Sequence, residues 1–224
     1  MLKAVIFDWD GTLADTKEFV VTAFQSVLKK NGWEVRDELL ERCMGIGPRN
    51  TLKEALRASN IPFDEAMIYR LEDEKVKTQL AMTTSVSLFD GARDLLKSLH
   101  GKMKTALATM SNRPVIDQLL AEKRIDAYFD VVITFDDIRH PKPNPEVFLK
   151  CAARLQCRPE ECLVVEDSVF GVEAAKAANM TCIAIPSGAY SREELMAKEA
   201  DLVVSSLNEK RELLAFILQE HQHH

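Results

Sequence analysis

Six short apolar runs are spaced through the chain, and helical patterns lie between most of them. The runs lie at 4–7, 105–108, 131–134, 163–165, 182–185 and 202–204. Each run is continuously apolar rather than alternating, as expected of strands that are covered on both faces of a sheet. The helical patterns between them lie at 91–99, 114–122, 145–155 and 169–178. This alternation predicts an α/β fold built on a Rossmann-like, mostly parallel sheet.

One long interval of the chain, residues 15–82, departs from the alternation. It contains no convincing strand but four helical stretches, at about 17–30, 36–43, 50–58 and 64–81. The last stretch is rich in charged residues, which indicates that one of its faces is solvated. These residues are Glu72, Asp73, Glu74, Lys75 and Lys77. We therefore expect a smaller, all-helical domain at 15–82, inserted into a core domain that consists of 1–14 and 83–224.

Composition and charge narrow the class of protein. The chain has 224 residues, 46% of them apolar, and a net charge of −6, as in an ordinary globular protein. No apolar run approaches the roughly 20 residues of a membrane span. The negative charge argues against nucleic-acid binding, which favours a basic face.

Five cysteines without a zinc-type spacing indicate buried thiols in a cytoplasmic protein. The histidines at 221, 223 and 224 indicate a frayed tail rather than a metal site.

Polar residues follow four of the apolar runs. They are Asp8 and Asp10 after the first run, Thr109 and Ser111 after the second, Asp136, Asp137 and Lys142 after the third, and Glu166 and Asp167 after the fourth. Ligands bind at the carboxyl ends of the strands in open parallel sheets, so we expect these side chains to share one site. Asp8 and Asp10 point to the same side of an extended chain, where their like charges oppose ionisation. A cation between the acids would relieve that repulsion.

The residue types predict the ligands of such a site. Carboxylate oxygens suit a hard cation, and few protein ligands together with a substrate phosphate suit Mg²⁺. A hydroxyl group near a helix N-terminus suits a phosphate oxygen, and a lysine adds a compact positive charge. Each feature alone also has an ordinary structural explanation, such as a polar loop, a helix cap or a surface lysine. Their joint placement after separate strands favours a functional site.

The motifs resemble those of the haloacid dehalogenase-like hydrolase superfamily along essentially the whole chain. The segment DWDGT at 8–12 matches the first motif of the family, DxDG[TV]. Thr109 matches the second motif, Lys142 in KPNPEVF the third, and EDS at 166–168 the fourth. The resemblance is to the subgroup with a helical cap domain after the first strand, which identifies the helical interval 15–82 as that cap.

The resemblance implies a Mg²⁺-dependent phosphatase that forms an aspartyl-phosphate intermediate. Asp8 would be the nucleophile that attacks phosphorus, and Asp10 the general acid and then the general base. The Asp8 carboxylate, the backbone carbonyl of Asp10 and the Asp167 carboxylate would bind Mg²⁺, with help from Glu166. The dehalogenases of the family lack the second acid, so Asp10 favours phosphate chemistry.

The resemblance also implies how phosphate and substrate are held. Thr109 and Lys142 would bind the transferring phosphoryl group. Arg49 in the cap is a candidate contact for an anionic substrate, or else a solvated side chain at the start of a helix that opens at Thr51. Ser111 and Asn112 are candidates for leaving-group contacts or helix caps. The partner of a capped member is expected to be a small phosphorylated metabolite.

Three functions stay open on this basis. The first is hydrolysis, with phosphoglycolate as the leading candidate substrate and sugar phosphates or pyrophosphate behind it. A β-phosphoglucomutase typically has a His four positions after the residue equivalent to Thr16, where this chain has Val20, and its cap loop is one residue shorter than the segment 45–49. A phosphoacceptor receiver domain is the third alternative. The long helical insert opposes it, because a lid suits the exclusion of water around a small substrate.

Overall fold

The computed structural model describes residues 1–219, and its central layer is a parallel sheet of six strands. The strands within this part of the chain are β1 (Ala4–Phe7), β2 (Ala14–Asp15), β3 (Ser87–Leu88), β4 (Lys104–Ala108), β5 (Val131–Ile133), β6 (Cys162–Glu166), β7 (Thr181–Ala184) and β8 (Leu202–Val203). The sheet has the order β5-β4-β1-β6-β7-β8, so β1 and its neighbours lie at the centre. Ala4 pairs with Lys104 on one side and with Cys162 on the other.

Ten helices accompany these strands between residues 1 and 219. They are α1 (Lys17–Lys30), α2 (Asp37–Arg42), α3 (Pro48–Ala58), α4 (Glu65–Leu80), α5 (Ala92–Leu99), α6 (Arg113–Lys123), α7 (Glu146–Leu155), α8 (Val169–Ala177), α9 (Arg192–Met196) and α10 (Lys210–Gln219). Helices α5 to α8 alternate with the strands of the sheet, as parallel pairing requires. No helix in the described part of the chain is long and apolar enough to cross a membrane.

The central strands are buried on both faces, which explains their continuous apolar character. Val5 and Phe7 of β1 join a cluster that contains buried side chains of α5 and α6. Ala4 and Ile6, which point to the other face, join a second cluster with buried side chains of α7 and α8. Because neither face meets water, no polar residue alternates with the apolar ones.

Helices α1 to α4 all lie between the two short strands of an antiparallel ribbon. Ala14 of β2 pairs with Leu88 of β3, and Asp15 pairs with Ser87. The helices pack on one another through buried apolar side chains that include Phe24, Leu28, Leu52, Leu56, Ile68 and Leu71. The chain therefore enters and leaves the helical segment side by side, at the ribbon.

The predicted fold class is confirmed, and most element ends agree to within one or two residues. The two-residue strands β2 and β3 were not predicted, and neither were α9 and α10. Helix α3 begins at Pro48, so Arg49 lies inside its first turn rather than ahead of a helix that opens at Thr51. A proline fits there, because the first helical position needs no N–H donor. The three histidines of the expected tail lie outside the described residues.

Gly91 is a point where an added methyl group would strain the fold. Its φ is +86°, and a Cβ there would lie 2.7 Å from the backbone carbon and oxygen of Leu207. We expect Gly91→Ala to lower the free energy of unfolding by about 3 kcal/mol, from a left-handed backbone together with a steric clash. Urea unfolding followed by circular dichroism measures the loss.

Gly101→Ala is the matched control for this prediction. Gly101 has φ +73°, and nothing lies within 4 Å of the added Cβ. The control variant therefore carries the backbone strain alone, about 1 kcal/mol. Equal losses in the two variants would show that the approach of Leu207 to Gly91 is unimportant.

Candidate active site

A buried lysine bridges two carboxylates at the carboxyl edge of the sheet. Asp8 follows β1, and Glu166 ends the neighbouring strand β6. Lys142, from the segment between β5 and α7, donates hydrogen bonds of 2.6 Å to Asp8 Oδ1 and 2.6 Å to Glu166 Oε1. Its side chain is fully enclosed, at 0% exposure. Such a buried charge is tolerated because both neighbours are acidic and both are hydrogen-bonded to it.

Glu166 has both of its carboxylate oxygens engaged within the chain. Oε1 accepts from Lys142, while Oε2 accepts from the N–H groups of Asp167 and Ser168 at 2.9 Å each and from Ser168 Oγ at 3.0 Å. These bonds hold the turn between β6 and α8 in place. Glu166 therefore orients Lys142 and Asp167, and its direct role as a metal ligand stays a prediction.

Asp167 lies against the loop that follows β1. Thr12 Oγ1 donates to Asp167 Oδ1 at 3.4 Å. Gly11 has φ +81°, and a Cβ at this position would lie 2.1 Å from Asp167 Oδ2. Only glycine allows the two loops to approach this closely, which gives the glycine of the first motif a physical reason.

The charges of the cluster do not balance. One ligand atom from each of Asp8, Glu166 and Asp167 lies within 4.8 Å of the others. Burial raises the pKa of Asp8 and of Asp167 well above its usual value, and the neighbouring acids add to both shifts. Burial lowers the pKa of Lys142, but the charges of Asp8 and Glu166 outweigh this effect and raise it overall. Three acids around one lysine form a set of hard oxygen donors that fits a divalent cation.

Asp10 is held by the loop that follows β4. Ser111 Oγ donates to Asp10 Oδ2 at 2.7 Å, and Thr109 Oγ1 donates to the same oxygen at 3.3 Å. The N–H of Ser111 donates in turn to Thr109 Oγ1 at 3.0 Å. Thr109 is fully buried and Ser111 nearly so. The carboxylate of Asp10 is therefore oriented by two hydroxyl groups from the loop that follows the neighbouring strand β4.

Side chains from the helical segment reach this edge of the sheet. Arg49 of α3 donates from Nε to Glu72 Oε2 at 2.5 Å. Asn112, which precedes α6, donates from Nδ2 to Glu72 Oε1 at 3.0 Å and accepts from Lys75 Nζ at 3.5 Å. Glu72 and Lys75 lie three positions apart on α4, so they share a face of that helix. Of the charged residues expected on a solvated face, Asp73 and Lys77 are exposed, whereas Glu72 and Lys75 are buried, at 6% and 2% exposure.

A cavity lies between Asp10 and the helical segment. It is partly open to solvent, and its walls come from the sheet edge and from the helical segment. Its lining is Asp10, Val20, Phe24, Cys43, Met44, Gly45, Gly47, Pro48, Thr51, Lys75, Met110 and Ser111. Lys75 is its one cationic side chain, and burial lowers the pKa of this group to about 8 against the opposing effect of Asp10 and Glu72. The cavity is small and mostly apolar, with polar groups at the end near Asp10.

The structure brings together most of the residues singled out in the sequence. Asp8, Asp10, Thr109, Ser111, Lys142, Glu166 and Asp167 all lie at the expected edge, Asn112 beside it, and Arg49 on the facing helix. Asp136 and Asp137 are the exceptions. Asp136 accepts the N–H of Arg113, and Asp137 binds the Arg113 guanidinium and caps the turn at Thr134, so both stabilise the start of α6.

Known proteins resemble the chain in sequence and in fold. A model of the family described as haloacid dehalogenase-like hydrolase matches residues 5–185. The chain is 31% identical over 180 residues to the fructose-1-phosphate phosphatase YqaB of Escherichia coli, and the match covers 80% of this chain and 94% of that protein. It is 33% identical over 181 residues to a phosphorylated carbohydrates phosphatase of Thermotoga maritima, and the match covers 80% of this chain and 82% of that protein.

Solved structures agree with this assignment. The crystal structure of β-phosphoglucomutase from Clostridium difficile superposes with a TM-score of 0.87 at 28% identity, and 99% of each chain is covered. The chain belongs to the haloacid dehalogenase-like hydrolase family, so the resemblance carried by its motifs is confirmed.

Lys142 is predicted to hold the acidic cluster together. In Lys142→Met the buried carboxylates of Asp8 and Glu166 lose their cation, so we expect the free energy of unfolding to fall by about 3–5 kcal/mol at neutral pH. We expect Mg²⁺ to recover part of the loss, because a cation that binds only the folded chain stabilises it. Thermal unfolding with and without Mg²⁺ measures both effects.

Lys150→Met is the control for this prediction. Lys150 is 42% exposed and pairs with Glu146 on the surface of α7, so its removal costs at most about 1 kcal/mol. A Lys142→Met variant as stable as Lys150→Met would contradict the view that Lys142 neutralises the cluster.

Proposed function

We propose that this chain is a Mg²⁺-dependent phosphatase that hydrolyses a small carbohydrate monophosphate through an aspartyl-phosphate on Asp8. The observation that supports it most directly is the buried cluster of Asp8, Lys142 and Glu166, with Asp10 two positions from Asp8 and facing the cavity. The residues 15–82 would act as a cap over this cavity, with the ribbon of β2 and β3 as the connection to the core.

Asp8 would be the nucleophile. Lys142 occupies its Oδ1, while no hydrogen bond within residues 1–219 engages Oδ2. Attack of Oδ2 on phosphorus forms the aspartyl-phosphate and breaks the bond from phosphorus to the leaving oxygen. Lys142 stays in place and offsets negative charge on Asp8 and on the phosphoryl group.

Asp10 would act as the general acid and then as the general base. Its carboxylate is oriented by Ser111 and Thr109, and it lines the cavity in which a leaving group would lie. In its protonated form it donates to the leaving oxygen, and as a carboxylate it then takes a proton from the water that cleaves the intermediate. Thr109 would also offer its hydroxyl to a phosphoryl oxygen.

Asp8, Asp167 and the backbone carbonyl of Asp10 are the groups that would hold Mg²⁺. Bound there, the ion supplies positive charge to the phosphoryl oxygens. Glu166 would support ion binding by orienting both Lys142 and Asp167. The excess of buried acids over lysine in this cluster supports the assignment.

The relatives favour a carbohydrate monophosphate over phosphoglycolate. Two relatives carry names that describe phosphatases of fructose 1-phosphate and of phosphorylated carbohydrates. The helical segment, which lines the cavity beside Asp10, opposes a receiver domain, because such a domain must admit a partner kinase. Val20 lines the cavity where a mutase typically has a His.

A cytoplasmic location belongs to the same proposal. All five cysteines are free, and four of them are buried. Reduced, buried thiols are typical of cytoplasmic proteins.

Asp8→Asn tests the nucleophile. We expect this variant to lose phosphate release from sugar monophosphates almost completely while it folds normally, because an amide cannot form the intermediate. Phosphate release with and without Mg²⁺ is measured on fructose 1-phosphate, glucose 1-phosphate, glucose 6-phosphate, phosphoglycolate and pyrophosphate. Asp15→Asn, at the ribbon, is the control for loss of one acid. Substantial activity in Asp8→Asn would remove Asp8 from the mechanism.

The lowered pKa of Lys75 predicts that activity falls at alkaline pH. Its pKa, lowered by burial to about 8, means that the group is charged below pH 8 and loses its charge above it. We expect kcat/KM to fall as the pH rises through this value, because the ammonium no longer binds substrate oxygens. In Lys75→Arg the fall should disappear, since a guanidinium stays protonated.

The control for Lys75 is Lys77→Arg, at an exposed position of the same helix. It should keep the wild-type pH profile. A fall near pH 8 that survives in Lys75→Arg would assign it to another group.

A further inference from the structure

The loop that follows β7 lies directly against Asp167. A Cβ at Gly188 would lie 2.0 Å from Asp167 Oδ2, and a Cβ at Gly11 would lie 2.1 Å from the same oxygen. Ser187 Oγ donates to the carbonyl of Gly11, which joins this loop to the one that follows β1. The carboxylate of Asp167 is therefore confined between two glycines, and its position depends on where residues 187–190 lie.

Arg42, the last residue of α2, joins the helical segment to this loop. Its Nη1 donates to the carbonyl of Ala189 at 3.2 Å, and its Nη2 donates to Glu194 Oε1 at 2.7 Å. Its guanidinium carbon lies 4.2 Å from the centroid of the Tyr190 ring. In return, the Tyr190 hydroxyl donates to the carbonyl of Arg42 at 2.5 Å. We call Arg42, Tyr190 and Glu194 the clamp.

The clamp combines a buried half with an exposed half. Tyr190 is 5% exposed, and its ring meets that of Phe170 edge-on with the centroids 6.1 Å apart, so Tyr190 is built into the core. The side chains of Arg42 and Glu194 are 49% and 40% exposed. Ion pairs and cation–π contacts at exposed positions are weak. The clamp can therefore form and release without unfolding the core.

The helical segment and the loop after β7 also share a cavity beside the acidic cluster. Its lining is Asp8, Asp10, Met44, Gly45, Met110, Asp167, Ser168, Gly188, Ala189 and Tyr190. A Cβ at Gly45 would lie 3.0 Å from Ser168 Oγ, so the helical segment also touches the turn that carries Asp167. The placement of the helical segment thus reaches Asp167 through direct contacts.

We propose that Arg42 and Tyr190 are positioning residues that couple the placement of the helical segment to the affinity of the Asp167 site for a divalent cation. With the clamp formed, residues 187–190 hold Gly188 against the Asp167 carboxylate. With the clamp broken, the carboxylate loses this restraint, and cation binding must first order it. Linkage makes the effect reciprocal, so a bound cation also favours the formed clamp. The coupling rests on the proposed function, whose Mg²⁺ site it uses.

Calorimetric titration with Mg²⁺ alone tests the coupling in Arg42→Met. We expect the Kd for Mg²⁺ to rise by about fivefold or more, which is the lower end of coupling between two sites. Tyr190→Phe removes only the hydroxyl group that reaches α2, and it should raise the Kd in the same direction by a smaller factor.

Hydrogen exchange gives a second readout that does not depend on turnover. In the wild type we expect Mg²⁺ to slow the exchange of the amides of residues 40–47, because a bound cation favours the formed clamp. In Arg42→Met this slowing should be lost. Exchange in β1 and β6 without Mg²⁺ should match that of the wild type, which shows that the core of the variant is folded.

Lys17→Met is the matched control. Lys17 also pairs with α2, through Glu41 at 3.8 Å, and its side chain is 48% exposed against 49% for Arg42. Both partners of this pair belong to the helical segment. Its loss should therefore leave the Mg²⁺ affinity and the Mg²⁺-dependent protection unchanged. A rise in Kd as large in Lys17→Met as in Arg42→Met would overturn the inference, because it would assign the effect to a general loosening of α2.

An unchanged Mg²⁺ affinity in folded Arg42→Met would also overturn the inference, as would exchange at 40–47 that does not respond to Mg²⁺ in the wild type. Failure of the proposed function has a different signature. A wild type that releases no phosphate from any sugar phosphate, yet binds Mg²⁺ more tightly than Arg42→Met does, would refute the phosphatase and support the coupling.

Discussion

The ammonium group of Lys142 lies between the carboxylates of Asp8 and Glu166, and the arrangement of the site depends on this contact. Asp8 follows one strand and Glu166 ends the adjacent one, so their carboxylates would repel each other in a dry environment. Lys142 donates to both and offsets their negative charge, and Glu166 in turn fixes the turn that carries Asp167. The carboxylates outnumber the one lysine, and the space between Asp8 and Asp167 is where a divalent cation and then a phosphate can be accommodated.

The helical segment supplies the opposite wall of the cavity, where Lys75 is the cationic side chain. At the sheet edge carboxylates outnumber the one lysine, which favours a metal ion and an anion bound to it. A cavity with these two ends can orient a small phosphate ester with the phosphate towards Asp8, so that proximity and electrostatic stabilisation act on the same bond.

Much of this account could be predicted from the sequence, because the relevant patterns are local. The continuous run Ala4–Phe7 indicated a strand covered on both faces, and Asp8 and Lys142 were found by their positions after strands. The burial of Glu72 could not be predicted in this way. Helix α4 carries charged residues around its circumference, and which of them is buried depends on Asn112, a residue on a distant element. The ribbon of β2 and β3 was missed because two residues carry no measurable periodicity.

The claim that Asp8 carries the phosphoryl group is tested most directly by Asp10→Asn with p-nitrophenyl phosphate and Mg²⁺. Nitrophenolate leaves without a proton from an acid, whereas hydrolysis of the intermediate still requires the base that the variant lacks. The account predicts a rapid release of nitrophenolate equal to the amount of enzyme, followed by slow turnover, with phosphate trapped on Asp8 and detected by mass spectrometry after an acid quench. Absence of the burst and of phosphate on Asp8, in a variant that folds and binds the substrate, would contradict it.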